Sequence, residues 1–480
     1  MSDRYMSPQR LGVIIAFAIA VTPISVSGQV QSTQENNPEP SGPSTKLPLS
    51  VRPITPVTDR NPASITSTEN LEISTLLPGL RTIYKLNFQD FMKNLYSSNI
   101  SLAAQRFNVP IAHAQLRAAG VFPDPTFQAG YGGDVANERQ PSNYSGGLTQ
   151  IILLGGKIGA RTFVAKSALL GSSAQLSEYE HNLQVQAANT FIDGLAGLLI
   201  LQRKSLALMR AEQLVATSAK RLADKKIKED EMLRTRIAAL EAHNDLISTE
   251  SAVHQTLANM SLLLGTQQRT GLLSPVGNLD IPQRTFVIED LIARAISSRS
   301  DVIAAGIALE TARGQYGLAK VNRIPDLTVG GTYQHLTRAT SPIDPAPAWD
   351  SVGVTVSIPL PLSDINSGNV EVAYYAQLQA EAVLQAAKLQ AEADVRIAYE
   401  RYTLAVAAVK QFEIEVLHDA DDLYKSRLFR MEGEESSLVD VLNAHQAINQ
   451  VYVDYYDALS EQAKALVALE SSAGLWEIDF

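Results

Sequence analysis

Residues 123–131 read PDPTFQAGY, and residues 325–333 read PDLTVGGTY. The two stretches stand 202 positions apart, and the correspondence spreads outward from them. Upstream, at a shift of 200, Asp90 meets Asp290, Ser97-Ser98 meets Ser297-Ser298, and Ala104, Ala112 and Gln115 meet Ala304, Ala312 and Gln315. Downstream, at a shift of 206, Ser145, Gly147, Thr149, Ile152 and Leu154 fall on Ser351, Gly353, Thr355, Ile358 and Leu360. Later, Leu240-Glu241-Ala242-His243 answers Leu442-Asn443-Ala444-His445. The offset changes only inside a turn or a helix, so one unit is written twice, over 81–275 and 276–475.

Each copy reads helix, two strands, long helix, turn, helix. The strands form hairpins at about 126–154 and 327–360. Val352, Val354, Val356 and Ile358 alternate with Gly353, Thr355 and Ser357, giving one apolar face and one small polar face. The partner strand sets Leu327, Val329 and Tyr333 on one side and Thr328, Thr332 and Gln334 on the other. In the first copy Leu148, Ile152 and Leu154 share a face that Gln150 interrupts. Strands of about 9–11 residues match a tilted bilayer crossing. Tyr131, Tyr144, Tyr333 and Trp349 flank the hairpin loops, where an interfacial aromatic belt sits. A soluble sandwich half-buried on one face has the same alternation. Four strands are too few for even the smallest outer-membrane barrel of about eight, so a spanning sheet requires several chains.

All 22 prolines lie outside two blocks, 142–274 and 362–480. From Lys157 to Leu222 nothing but scattered glycine opposes a helix of roughly 65 residues, about 100 Å long at 1.5 Å per residue. The stretch from Asn366 to Arg430 is equally long. Within it Ala391, Val395, Ala398, Tyr402, Ala405, Val409, Phe412 and Val416 follow the 3,4 spacing of a coiled-coil seam. Val185, Ala188, Ile192, Leu195 and Leu199 do the same in the first copy. Uncapped helices of this length belong to coiled coils or helical tubes.

Composition narrows the function. Of 480 residues, 45% are apolar, enough for a large core, and the net charge of −10 leaves no basic surface for nucleic acid. With no cysteine there is no disulfide, thiolate metal site, cysteine nucleophile or lipid anchor through cysteine. Arg4 and Arg10 precede the apolar run Leu11–Val21, and Val26-Ser27-Gly28 supplies a small-residue cleavage site, so 1–28 reads as an export signal. The run is too short for the about 20 residues of a spanning helix. Seven prolines over 29–66, among Ser, Thr, Asn and Gln, mark an extended tail that runs to residue 80, and 476–480 is a C-terminal tail.

An exported chain with two copies of helix, Pro-Asp hairpin, long helix and return helix resembles the outer-membrane efflux protein family, the TolC-like channels, over about residues 81–475. Leu153-Leu154-Gly155-Gly156-Lys157 with Ala165, and Ser437-Leu438-Val439-Asp440-Val441-Leu442-Asn443-Ala444, carry the resemblance. The Gly-Gly-Lys element is similar to that of the heavy-metal efflux subgroup, the CzcC-like components. The resemblance implies a mainly α fold with a membrane β-barrel portion. It implies a homotrimer whose hairpins close a barrel of twelve strands in outer-membrane lipid, the helices continuing it as a periplasmic tube in a Gram-negative-type bacterium. It also implies a periplasmic adaptor and an inner-membrane pump of the RND type as partners, no cofactor and no catalysis. A duct for type I protein secretion and a soluble periplasmic coiled-coil adaptor are the competing readings.

Asp440 matches the family position whose carboxylates ring the periplasmic aperture, and Asn443 stands at the neighbouring ring position, often a second Asp. Three carboxylates converging on an axis repel one another and attract cations. The competing role for Asp440 is to favour the positive end of a helix dipole. Glu432, Gly433, Glu434 and Glu435 form the tip, a solvated turn or an adaptor contact. Val352, Val354, Val356 and Ile358 are the membrane face of the barrel. His243 and His445 occupy equivalent repeat positions and read as helix-surface histidines inherited by duplication. Gly155-Gly156-Lys157 lacks the remaining residues of a phosphate loop and reads as a strand-to-helix turn. Trp476, Ile478 and Phe480 alternate to a terminal aromatic, as a short strand or a loose end.

Overall fold

Polar residues placed just ahead of apolar runs start the first helices. Asn87 accepts the Asp90 amide at 2.7 Å and opens α1 (Phe88–Ser98). Asn99 accepts the Leu102 amide at 2.7 Å and opens α2 (Ile100–Arg106), while its own amide donates to the Leu263 carbonyl at 2.8 Å. The computed structural model describes residues 83–133, 141–265, 272–281, 283–340, 345–362, 364–432 and 438–476. The export signal, the Pro-rich tail and residues 477–480, with Ile478 and Phe480, lie outside the described residues. Trp476 is described, and its ring meets the His181 imidazole edge-on at 6.4 Å.

The first copy continues through α3 (Asn108–Ala119), β2 (Thr126–Gly132), β3 (Asn143–Ile152), α4 (Lys157–Ala223) and α5 (Glu229–Leu263). The second comprises α6 (Ile288–Ser298), α7 (Ser300–Val321), β5 (Leu327–Leu336), β6 (Trp349–Ser357), α8 (Ser367–Gln411), α9 (Leu417–Glu432) and α10 (Leu438–Ser472). Between α8 and α9 the helix continues as one π turn, Phe412–Val416. The long second helix is therefore continuous in path but slips its hydrogen-bond register there. A small parallel pair, β1 (Ile83–Leu86) with β4 (Leu272–Pro275), ties the start of the first copy to its end.

The hairpins join into one antiparallel sheet in the order β2-β3-β5-β6. The central pair crosses copies, with Ile152 opposite Leu327 and Asn143 opposite Leu336. β3 and β5 have 10 residues each and β6 has 9, while β2 has only 7, bounded by Pro125 and Gly132-Gly133. Both β2 and β6 are edges of this sheet.

The main core sits along the long helices. Phe88 and Phe91 pack on Phe191 at 5.3 and 5.6 Å between ring centres. Around them lie Leu195, Leu201, Val253, Met260, Leu291, Val395, Tyr402 and Leu466, drawn from five helices. Fully burying each such side chain contributes about 1.5–3 kcal/mol. The seam residues Ala391, Val395, Ala398, Tyr402, Ala405 and Val409 are all buried. A second, separate cluster, Leu214 with Leu438, Val441 and Leu442, holds the turn ends of α4 and α10 together. Among the described residues no helix is long and apolar enough to cross a membrane.

Candidate channel wall and aperture

Pairing register fixes what each face of the sheet presents. One face carries Phe127, Ala129 and Tyr131 of β2, then Tyr144, Gly146, Leu148, Gln150 and Ile152 of β3. It continues with Leu327, Val329, Gly331 and Tyr333 of β5, then Val352, Val354 and Val356 of β6. The opposite face carries Gln128, Gly130, Ser145, Gly147, Thr149, Thr328, Thr332, Gln334, Gly353 and Thr355. Among the described residues no other segment covers the apolar face at β6, where Val352 is 81% exposed and Val354 78%. Phe127, Leu148 and Ile358, which lies just past the end of β6, are exposed as well. Four exposed apolar side chains in a row along β6 and its end, Val352, Val354, Val356 and Ile358, form a surface that water does not favour. Gln150 does not interrupt the face as a free polar group, because its amide donates to the Pro123 carbonyl at 2.8 Å.

At the loop end of the apolar face the side chains become amphipathic. Tyr131 and Tyr144 stack at 5.1 Å, and Tyr144 lies 6.3 Å from His335. The Tyr333 hydroxyl donates to Asp350 at 2.7 Å, and His335 Nδ1 meets the same oxygen at 2.7 Å. Rings with satisfied polar tips suit a membrane–water boundary. Trp349 lies on the polar face by register, opposite Leu336, so it is not part of this group.

The turn leading from sheet to helix explains the Gly-Gly-Lys element. Gly155 and Gly156 have φ of 72° and 75°, the left-handed region, and a Cβ on Gly155 would stand 2.6 Å from the Ile324 side chain. This turn aims the almost fully buried Lys157 at Asp326, Nζ to Oδ1 2.6 Å, and the Leu154 amide donates to the same oxygen at 3.3 Å. The Pro-Asp motif of one copy is therefore the clasp for the strand-to-helix turn of the other.

The far end of the helices carries the aperture candidates. Leu438, Val441 and Leu442 are buried, whereas Asp440 and Asn443 are exposed one turn apart on the opposite face of α10. Asp440 also lies in the first turn of α10, where a carboxylate favours the helix dipole. The tip residues Gly433, Glu434 and Glu435, and the side chain of Glu432, lie outside the described residues.

One expectation is corrected just above this end. His243 is exposed on α5, but its repeat partner His445 is 4% exposed. Its imidazole packs 5.8 Å from Tyr424 and receives the Asn449 amide at Nε2, 3.1 Å away. Burial, with Arg210 and Arg203 adding to it, pushes its pKa down to about 4. Both arginines come from α4 and stack on tyrosines of the second copy, Arg203 over Tyr452 at 3.9 Å and Arg210 over Tyr424 at 5.4 Å. Neither cation–π pair was visible as a sequence motif, because the partners come from different copies. Among the described residues no three His, Asp or Glu side chains converge as a metal site.

A sheet with one apolar face and two edges, set on helical runs about 100 Å long, defines the class: a TolC-like fold. Comparison with known proteins agrees. Residues 291–475 match the outer membrane efflux protein family. Along 383 residues the chain is 22% identical to the cobalt-zinc-cadmium resistance protein CzcC of Cupriavidus metallidurans, covering 78% of this chain and 87% of that protein. Its fold matches CusC with a TM-score of 0.67 at 15% identity, over 81% of this chain and 92% of that one. It also matches the outer membrane protein VceC of Vibrio cholerae with a TM-score of 0.65 at 17% identity, over 80% and 95%.

Proposed function

We propose that this chain is the outer-membrane channel component of a tripartite efflux system, a passive conduit and not an enzyme. The match of residues 291–475 to the outer membrane efflux protein family, together with the one-sided sheet, supports this reading. The sheet supplies a wall with lipid outside and Thr, Ser, Gly and Gln inside, and the helices supply the periplasmic length. Transport energy then comes from elsewhere, from an inner-membrane pump of the RND type reached through a periplasmic adaptor. The protomer acts as a homotrimer, since three sheets of four strands give twelve, a permitted even number for a closed barrel.

Heavy-metal cations are the proposed cargo class, on the strength of the likeness to CzcC along most of both chains. Asp440 is proposed as the charged ring of the aperture and Asn443 as its neutral neighbour. The Glu432–Glu435 tip is proposed as the adaptor contact. The test is growth of a deletion strain on Zn, Co, Cd and Cu salts and on hydrophobic drugs, with and without the gene restored. Metal sensitivity reversed by the gene supports the cargo class. Sensitivity to drugs alone replaces metals with a multidrug cargo, and insensitivity to both moves export to protein secretion.

A further inference from the structure

We propose that the connector leaving β6, residues 358–362, is a membrane-binding element that lays Leu360 and Leu362 among phospholipid acyl chains of the periplasmic leaflet. The proposal rests on the outer-membrane reading above and goes beyond the sheet, because the pairing of β6 ends at Ser357.

The two copies leave the sheet differently. Leu154 stands three residues ahead of α4, whereas its repeat equivalent Leu360 stands seven ahead of α8, so the second copy has four more residues there. In the first copy the Gly155-Gly156 turn follows at once, and charge arrives with the Lys157–Asp326 pair. In the second copy no charged residue occurs between Asp350 and Asp364. The alternation of Val352, Val354 and Val356 runs on instead through Ile358, Leu360 and Leu362. Leu360 is 74% exposed, and Leu362, at 92%, is the most exposed large apolar side chain among the described residues.

The backbone of the connector is poor in donors. Pro359 and Pro361 have no N–H to leave unbonded. The Leu362 amide donates to the Leu360 carbonyl at 2.9 Å, closing a tight turn around Pro361. Water would satisfy any group left over, so this economy matters only in hydrocarbon, where an unbonded N–H is costly. Height points the same way. From Val352 to Val356 the apolar row advances about 10 Å along a barrel axis, at 3.3 Å per residue and a tilt of about 40°. The apolar band of a membrane barrel is about 25 Å tall, and continuing the row to Leu362 brings it to about that height.

Polar anchors begin where the row stops. The Ser367 amide donates to Asp364 at 2.8 Å, and the Asn366 side-chain amide donates to the Ala319 carbonyl at 3.0 Å, tying the end of the connector to α7. Next to Ala319, Lys320 Nζ lies over the Tyr316 ring at 3.8 Å. Tyr316, Tyr374 and Tyr375 form a chain of rings with centres 5.7 and 5.5 Å apart. Tyrosines beside a lysine whose stem can lie along apolar surface suit a membrane–water boundary. The sequence down this flank is therefore apolar connector, polar clamp and Tyr-Lys belt.

The chain has no cysteine, so a single introduced one reports a single position. Full-length Leu360→Cys and Leu362→Cys, each carrying a nitroxide, are reconstituted in phosphatidylethanolamine–phosphatidylglycerol vesicles. Power saturation then compares collisions with oxygen, which concentrates in lipid, and with nickel-EDDA, which stays in water. Both substituted side chains are exposed, so the labels leave the core intact. Both labels should collide more with oxygen than with nickel, as should Val354→Cys on the apolar face, while Thr355→Cys on the polar face should show the reverse. Nickel collisions dominating at 360 and 362, with Val354→Cys still in lipid, overturn the proposal and leave the membrane reading standing. Few collisions with either reagent mean that a second copy covers the connector, which overturns the proposal as well. Nickel dominating at Val354→Cys too overturns both.

Discussion

The helix that leads into the sheet is broken in the first copy and whole in the second. Pro110 lacks an amide hydrogen and interrupts the ladder between α2 and α3, whereas Glu310 stands at the same repeat position in the uninterrupted α7. The surroundings differ in the same sense. α7 is covered on two sides by α4 and α8, while α3 rests on α4 and presents apolar side chains outward. The same contrast reaches the far end, where His243 is exposed and His445 buried. Duplication gave both copies the same elements, but within one chain only α7 lies between helices of both copies, α4 of the first and α8 of the second. Its counterpart α3 is therefore the leading helix left with an uncovered flank among the described residues.

The two faces of the sheet set the largest effect. A basic residue at the membrane midplane of a barrel costs up to about 2–4 kcal/mol and an acidic one somewhat less, a cost repeated in every protomer. Val354→Asp should largely abolish heat-resistant oligomers in the membrane fraction. Thr355→Asp, the adjacent residue on the polar face, should leave them at normal levels. Equal assembly of the two variants would remove the lipid assignment from Val352, Val354, Val356 and Ile358.

The two histidines predict a pH dependence that belongs to one copy. The folded pKa of His445 is about 4, below the ordinary 6.5, because the fold favours the neutral ring among Tyr424, Asn449, Tyr452, Arg203 and Arg210. An unfolded chain takes up its proton as pH falls through 6.5, and the folded one does not until about 4. Stability from this group is thus present above 6.5 and is lost across that window, by at most about 3 kcal/mol per protomer. The fall in thermal midpoint from pH 7 to 5 should be less steep in His445→Gln than in the parent protein.

The clasp between the copies should show a smaller, asymmetric effect. Asp326→Ala leaves the almost fully buried Lys157 without its carboxylate, at a cost of about 2 kcal/mol after allowing for the partial exposure of Asp326. Lys157→Met leaves Asp326 near water and should cost less than about 1 kcal/mol. Denaturant midpoints of the two variants distinguish this ordering from equal losses.

Much of this was legible because the signals are local. The hairpins announce themselves by alternation within ten residues, and the seams by 3,4 spacing within a helix. What could not be read depends on which copy lies beside which. Lys157 and Asp326 each sit in a recognisable motif, yet their pairing crosses copies. Arg203 and Tyr452 are ordinary helix residues until α4 and α10 are laid together. β1 and β4 have four residues each, too short for any periodicity, and they pair across nearly a whole copy. His445 shares its quadruplet pattern with His243, so the sequence assigns both to a surface. The covering ring of Tyr424, from the neighbouring α9, separates them.

The proposed aperture carries the subtlest difference between the copies, the level at which each places one carboxylate. Asp440 answers to Ala238 in the first copy and Asn443 to Glu241, so the repeats place their carboxylates at different levels. Ala238 packs against the small cluster of Leu214, Leu438, Val441 and Leu442, and Asp440 is exposed on the far side of α10. If α10 lines the axis of a trimer, only the second copy contributes a ring at that level. Asp440→Asn removes three converging charges and should weaken block of single-channel current by divalent cations a few-fold, with the fold intact because the side chain is exposed. Asn443→Asp adds a ring one turn along α10 and should strengthen the block by a similar factor. Opposite shifts from these two substitutions place the exposed face of α10 on the conduction path. Identical block in both variants and the parent protein would take that face off the axis and leave Asp440 its other role, at the positive end of the helix.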